Sequence, residues 1–147
     1  MGTRRCGGLF ARILTSWTDR DGGRTEPGIS ASEWTLLIID DDQLFRDAAI
    51  ALLDGAGFRV LGDASDGATG LEQAERLRPD VVLVDVNLPD ISGFELCRRL
   101  VDAGYVVVLC SVREASDYGP LQAWAGARGF VPKMALTSQR LAQELDR

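Results

Sequence analysis

The sequence predicts an open, doubly wound α/β sandwich, a five-stranded parallel sheet sandwiched by helices. Three observations predict it. Five short apolar runs, 35–39, 58–62, 81–84, 105–110 and 129–131, begin about every 23 residues. The first, third and fourth are apolar almost throughout, as strands covered on both faces must be. The stretches between them have helical length and helical spacing of apolar residues. Strand and helix alternating in this way bury a parallel sheet between two helical layers.

Taken in order, the first run ends at Asp40, Asp41 and Asp42, and Asp42 is suited to cap the helix that follows. In that helix Leu44, Ala48, Leu52 and Leu53 fall on one face, the predicted inward one. After the second run Asp66-Gly67 opens a helix whose inward face is Ala68, Leu71, Ala74 and Leu77, and Arg78-Pro79 closes it. The third run ends at Asp85. Ser92 is placed to cap the third helix, with Glu95 completing a capping box and Phe94, Cys97, Leu100 and Val101 facing the core. The fourth run ends at Ser111. Gly119-Pro120 interrupts the next segment, so its helix is predicted to begin at Pro120 and to be short. The fifth run is followed by Lys133, and a last helix is predicted from about Thr137 to the end.

Composition bounds the function. With 147 residues, 46% hydrophobic and 26% charged, the chain has the makeup of a soluble globular domain. No apolar run approaches the ~18 residues of a membrane span. Residues 34–147 hold eleven cations against eighteen acids, a net charge of −7 that argues against direct nucleic-acid binding. Three cysteines, an odd number, read as reduced thiols of a cytoplasmic protein. There is no histidine, which excludes a histidine-based triad, an ordinary zinc site and a phosphohistidine carrier. Residues 1–33 differ from the rest. Residues 19–28 have linker composition, and Phe10, Ile13, Leu14 and Trp17 sit at helical spacing near Arg4, Arg5 and Arg12. This part is expected to be a disordered or partly helical extension, with the folded domain over 34–147.

In a doubly wound sheet, ligands bind at the carboxyl ends of the strands. Asp40 and Asp41, Asp85, Ser111 and Lys133 all lie at such ends and are expected to converge. Lys133 is the single lysine beside fifteen arginines, a compact point charge where the rest of the chain uses a planar fork. Three carboxylates in one cup repel. Two charges ~4 Å apart cost about 4 kcal/mol at an effective dielectric of 20. A divalent cation and the ammonium relieve that repulsion, and an all-oxygen set with few protein ligands favours Mg²⁺. A carboxylate beside Mg²⁺ and a lysine is a setting for attack on a phosphoryl group, giving an aspartyl phosphate. Phe130 by its type alone reads as core.

These residues, within Ile38-Ile39-Asp40-Asp41, Leu44-Phe45-Arg46, Val84-Asp85-Val86-Asn87-Leu88-Pro89, Cys110-Ser111-Val112 and Gly129-Phe130-Val131-Pro132-Lys133, resemble the receiver domain of bacterial two-component response regulators over about 34–146. The resemblance implies a flavodoxin-like fold with strand order 2-1-3-4-5. It implies Asp85 as phosphoacceptor and Asp40, Asp41, Asp85 and the backbone carbonyl of Asn87 as Mg²⁺ ligands. It further implies Ser111 and Lys133 as phosphoryl contacts, and Ser111 and Phe130 as the switch pair. The implied partners are a sensor histidine kinase and an unknown downstream protein, with dimerisation left open. The implied role is a phosphorelay signal, not an enzyme beyond self-catalysed aspartyl phosphorylation and dephosphorylation. A stand-alone regulator, a truncated transcriptional regulator lacking its DNA-binding domain and a phosphorylation-independent interaction module are the variants of this reading. An aspartyl-nucleophile phosphatase fits less well, because the position two residues after Asp85 is Asn87 rather than an acid.

Overall fold

The computed structural model describes residues 33–120, 123 and 125–146. The apolar spacing of Phe10, Ile13, Leu14 and Trp17 lies outside the described residues. Five parallel strands, β1 (Trp34–Ile39), β2 (Phe58–Ala64), β3 (Val81–Asp85), β4 (Val106–Ser111) and β5 (Gly129–Pro132), form one sheet in the order β2-β1-β3-β4-β5. Helices α1 (Gln43–Leu53), α2 (Gly67–Leu77), α3 (Gly93–Asp102) and α4 (Ser138–Leu145) cover its two faces. The central strands are buried residue after residue, which explains their unbroken apolar runs. Successive side chains point to opposite faces. Leu37, Ile39, Val82, Val84, Val107 and Leu109 therefore pack with the residues of α2 and α3. Leu36, Ile38, Val81, Leu83, Val108 and Cys110 pack with those of α1 and α4.

The helix ends follow their local chemistry. Asp42 accepts hydrogen bonds from the Leu44 and Phe45 amides, Asp66 from that of Thr69, and Thr137 from that of Arg140. Each satisfies donors that a helix start leaves unpaired. Arg78 ends α2 in the left-handed conformation (φ 51°), one residue before Pro79. Ser92 caps α3 through Phe94 N–H, but the predicted capping box is not completed. The Glu95 carboxylate turns to Arg98 (2.7 Å) and Arg99 (3.3 Å) instead of back to the cap.

The predicted inward face of α1 requires correction. Ala49 and Leu53 are the buried residues, with Phe45 and Ile50 packed beside them. Leu44 is 79% and Leu52 45% exposed, and Ala48 is also exposed. The segment carries two apolar stripes one residue apart, so spacing alone fits either. The bulkier Phe45–Ala49–Leu53 stripe fills the core, and Arg46 beside it reaches polar partners at the sheet edge. In α2, Leu71, Ala74 and Leu77 do face the core, whereas Ala68 is exposed. Gly70 lets that helix approach β1, since a Cβ there would strike Ile39. After β4 the chain makes a 3-10 turn (Ala115–Asp117) and continues through Gly119 (φ +60°) to Pro120. Ala123 and Ala125 are helical; residues 121, 122 and 124 of the short helix predicted there lie outside the described residues.

Candidate functional site

The carboxyl ends of β1, β3, β4 and β5 bring the singled-out residues together. Asp40 follows β1 and is 1% exposed, while Asp41 beside it is open to solvent. Asp85 is the last residue of β3 and is 5% exposed. One ligand oxygen from each of the three lies within 4.8 Å of the others. Lys133, just after β5, places Nζ 2.9 Å from Asp40 Oδ2 and 3.9 Å from Asp85 Oδ2. Its ammonium also stands 4.5 Å above the centroid of the Phe45 ring, a cation–π contact that steers it over the cup. After Asp85 the chain folds back on it in a tight turn. Gly93 N–H donates to the Val86 carbonyl at 2.7 Å, and a Cβ on Gly93 would run into the Asp85 carbonyl oxygen.

The cup is electrostatically incomplete. Three carboxylates and one ammonium leave a formal charge of −2 when all are ionised. Burial first, then the charge of Asp40, push the Asp85 carboxyl up to about 6; Lys133 and the Asn87 N–H pull the other way without cancelling this. Burial alone would lower the pKa of Lys133, but Asp40 and Asp85 outweigh it and hold the ammonium above its ordinary value. Asp40 Oδ1 accepts from Asp42 N–H at 2.8 Å. Asp40 Oδ2 is buried, and the Lys133 ammonium 2.9 Å away, which it shares with Asp85, is the partner it has among the described residues. A buried carboxylate oxygen with one shared ammonium, in a cluster of three carboxylates of net negative charge, fits a small divalent cation.

Ser111 ends β4 fully buried. Its Oγ accepts from Arg113 N–H at 3.1 Å and shares a 2.7 Å hydrogen bond with Tyr118 Oη. Phe130 on β5 is 4% exposed, pointing inward, with its ring 5.8 Å from that of Tyr118. Three contributors were not assigned from sequence. Arg46 binds Asp63 (2.8 Å) and the Asp40 carbonyl (2.8 Å), anchoring the backbone of the acidic pair to β2. Its position on the first turns of α1 is a signal that sequence offered. Phe45 stands under Lys133, in a motif already singled out. Tyr118 sits in an irregular segment without periodicity, and nothing in the sequence ties it to Ser111.

A doubly wound parallel sheet with an acidic cup and one lysine at its carboxyl edge belongs to the class of flavodoxin-like signalling domains. The chain is a member of the response regulator receiver domain family, whose model matches residues 36–146. It is 38% identical over 104 residues to the transcriptional regulatory protein CseB of Streptomyces coelicolor, covering 70% of this chain and 44% of that one. It is 37% identical over 103 residues to the response regulator GacA of Pseudomonas viridiflava, covering 68% and 48%. The chain thus spans about half the length of the curated relatives it matches. The signal receiver domain of NarL from Mycobacterium tuberculosis superposes with a TM-score of 0.69 at 25% identity, covering 79% of this chain and 99% of that one. Receiver domains are signalling domains of two-component systems.

Proposed function

We propose that the domain over 34–147 is a phosphoacceptor that takes a phosphoryl group from a sensor histidine kinase onto Asp85 and thereby switches a protein-interaction surface. The observation that carries this reading is the bridging of Asp40 and Asp85 by Lys133 within a cup of three carboxylates. With its pKa near 6, Asp85 is ionised at neutral pH and able to act as the nucleophile. Its oxygen bonds to phosphorus as the P–N bond of the donor phosphohistidine breaks, and the imidazole leaves with the bonding pair. Lys133 stands where it can compensate charge on the transferring oxygens. When bound, Mg²⁺ would neutralise charge on the same oxygens, held by Asp40, Asp41, Asp85 and the carbonyl of Asn87.

After transfer, Ser111 turns to donate a hydrogen bond to the phosphoryl group, and Phe130 responds to the vacated space. The added charge shifts a two-state equilibrium rather than creating a new fold. A downstream protein reads the change. The acidic surface favours a protein reader over nucleic acid. Among the described residues no helix is long and apolar enough to cross a membrane. The odd number of cysteines supports reading a kinase-fed receiver of this kind as cytoplasmic. Residues 1–33 are read as an extension outside this domain.

Acetyl phosphate with Mg²⁺ should add the mass of one phosphoryl group to the wild type. Asp85→Ala should gain none, and EDTA should abolish the gain. An unchanged wild-type mass would instead support a module that binds its partner without phosphorylation.

A further inference from the structure

The Ser111 hydroxyl is not free. Its oxygen is held from two sides, by the Arg113 amide at 3.1 Å and the Tyr118 hydroxyl at 2.7 Å, in a pocket that leaves Ser111 fully buried. Tyr118 reaches it from the segment between β4 and β5. Its ring is wedged between Phe94 of α3 (centroids 5.2 Å apart, interplanar angle 65°) and Phe130 of β5 (5.8 Å, 47°). The edge-on and tilted contacts fix the ring, and the ring fixes the hydroxyl. Whichever oxygen supplies the proton, Ser111 Oγ cannot swing toward Asp85 without leaving Tyr118. Tyr118 in turn cannot follow it without sliding between two aromatic neighbours.

We propose that Tyr118 is a positioning residue that holds Ser111 back in the unphosphorylated domain, and that its release carries the signal through the Phe94–Tyr118–Phe130 stack to the surface of α3, the 3-10 turn and β5. The inference rests on the phosphoacceptor reading of Asp85 and deepens it. Ser111 exchanges one partner, the phenol, for another, the phosphoryl oxygen, and the difference between the two bonds sets how readily the domain switches. Loss of the phenol hydroxyl removes the competing partner while keeping the ring. Tyr118→Phe therefore populates the switched state more easily.

Beryllofluoride with Mg²⁺ is the probe, added to wild type, Tyr118→Phe, Ser111→Ala and the double variant. Half-saturation is read from amide resonances around Asp85, and ring resonances of residue 118 report the stack. Tyr118→Phe is expected to reach half-saturation at roughly three- to tenfold lower beryllofluoride than wild type, the size of one neutral hydrogen bond. In the Ser111→Ala background the same change should have no effect, because the partner is already gone. In wild type the residue 118 ring resonances should move as the probe binds. Equal or weaker binding by Tyr118→Phe, or the same gain with Ser111 absent, overturns the inference while leaving the phosphoacceptor reading intact. A wild type that ignores the probe overturns both.

Discussion

Replacing Asp85 by asparagine should stabilise the fold at neutral pH when divalent cations are removed. In the folded chain the Asp85 carboxyl titrates near 6 rather than 3.8, because it is buried and faces Asp40. Well below 3.8 the carboxyl is neutral in the folded and the unfolded chain alike, and its charge costs nothing. Between 3.8 and about 6 the unfolded chain ionises first. The folded state then binds more protons, so stability falls as pH rises through this window. Above it the cost is complete. A displacement of about two units at about 1.4 kcal/mol each puts that cost near 3 kcal/mol. Asparagine keeps the shape and cannot ionise, so it should recover most of this, about 10 °C in Tm for a domain of this size. The assay is urea unfolding of both proteins in EDTA from about pH 4 to about pH 8. The gap should be small at the acid end, widen through the window and level off above it. Added Mg²⁺ should narrow it from the wild-type side, since an ion that binds only the folded carboxylates stabilises only that state. A variant no more stable than wild type at neutral pH, or a gap indifferent to pH, would refute the reasoning.

Two further outcomes test how the cup is supported. Arg46→Ala removes a mostly buried guanidinium bonded to Asp63 and to the Asp40 carbonyl. It should cost about 2 kcal/mol by urea unfolding and weaken Mg²⁺ binding about tenfold in an NMR titration; Arg46→Lys, lacking the fork, should restore less than half of either. Gly93→Ala forces a Cβ into the backbone at Asp85 and Val86, where no flexible side chain can yield. It should lower stability by about 3 kcal/mol and slow labelling of the remaining folded protein by acetyl phosphate, whereas an unchanged urea midpoint would show that the turn can relax.

The strands were legible because β1, β3 and β4 are buried on both faces, and that demand leaves no room for polar interruptions. Lys133 was legible because its side-chain type was singular in the chain. The inward face of α1 was not. Leu44, Ala48 and Leu52 form as good a stripe as Phe45, Ala49 and Leu53, and the choice was made by tertiary packing and by Arg46 reaching Asp63 at the sheet edge. Tyr118 was hidden for a different reason. Its role depends on a hydroxyl seven residues back and on rings from α3 and β5, a meeting that only the folded topology creates.

The two halves of the site act on the resting state in opposite senses. Asp85 is held in a cup of net negative charge that pushes its carboxyl up, and the Ser111 hydroxyl is occupied by Tyr118. The first feature destabilises the unphosphorylated state, whereas the second, the Ser111–Tyr118 hydrogen bond, stabilises it. Cation binding would relieve the first, and switching would have to replace the second with a phosphoryl contact; a difference in interaction between the two states is what biases a two-state equilibrium. A well-neutralised cup with a freely turning serine would bind the same groups with less consequence for the rest of the fold. On the proposed reading, the charge imbalance would set how strongly ligands are drawn in, and the Tyr118 hold how much of that binding becomes motion at the surface of α3 and β5.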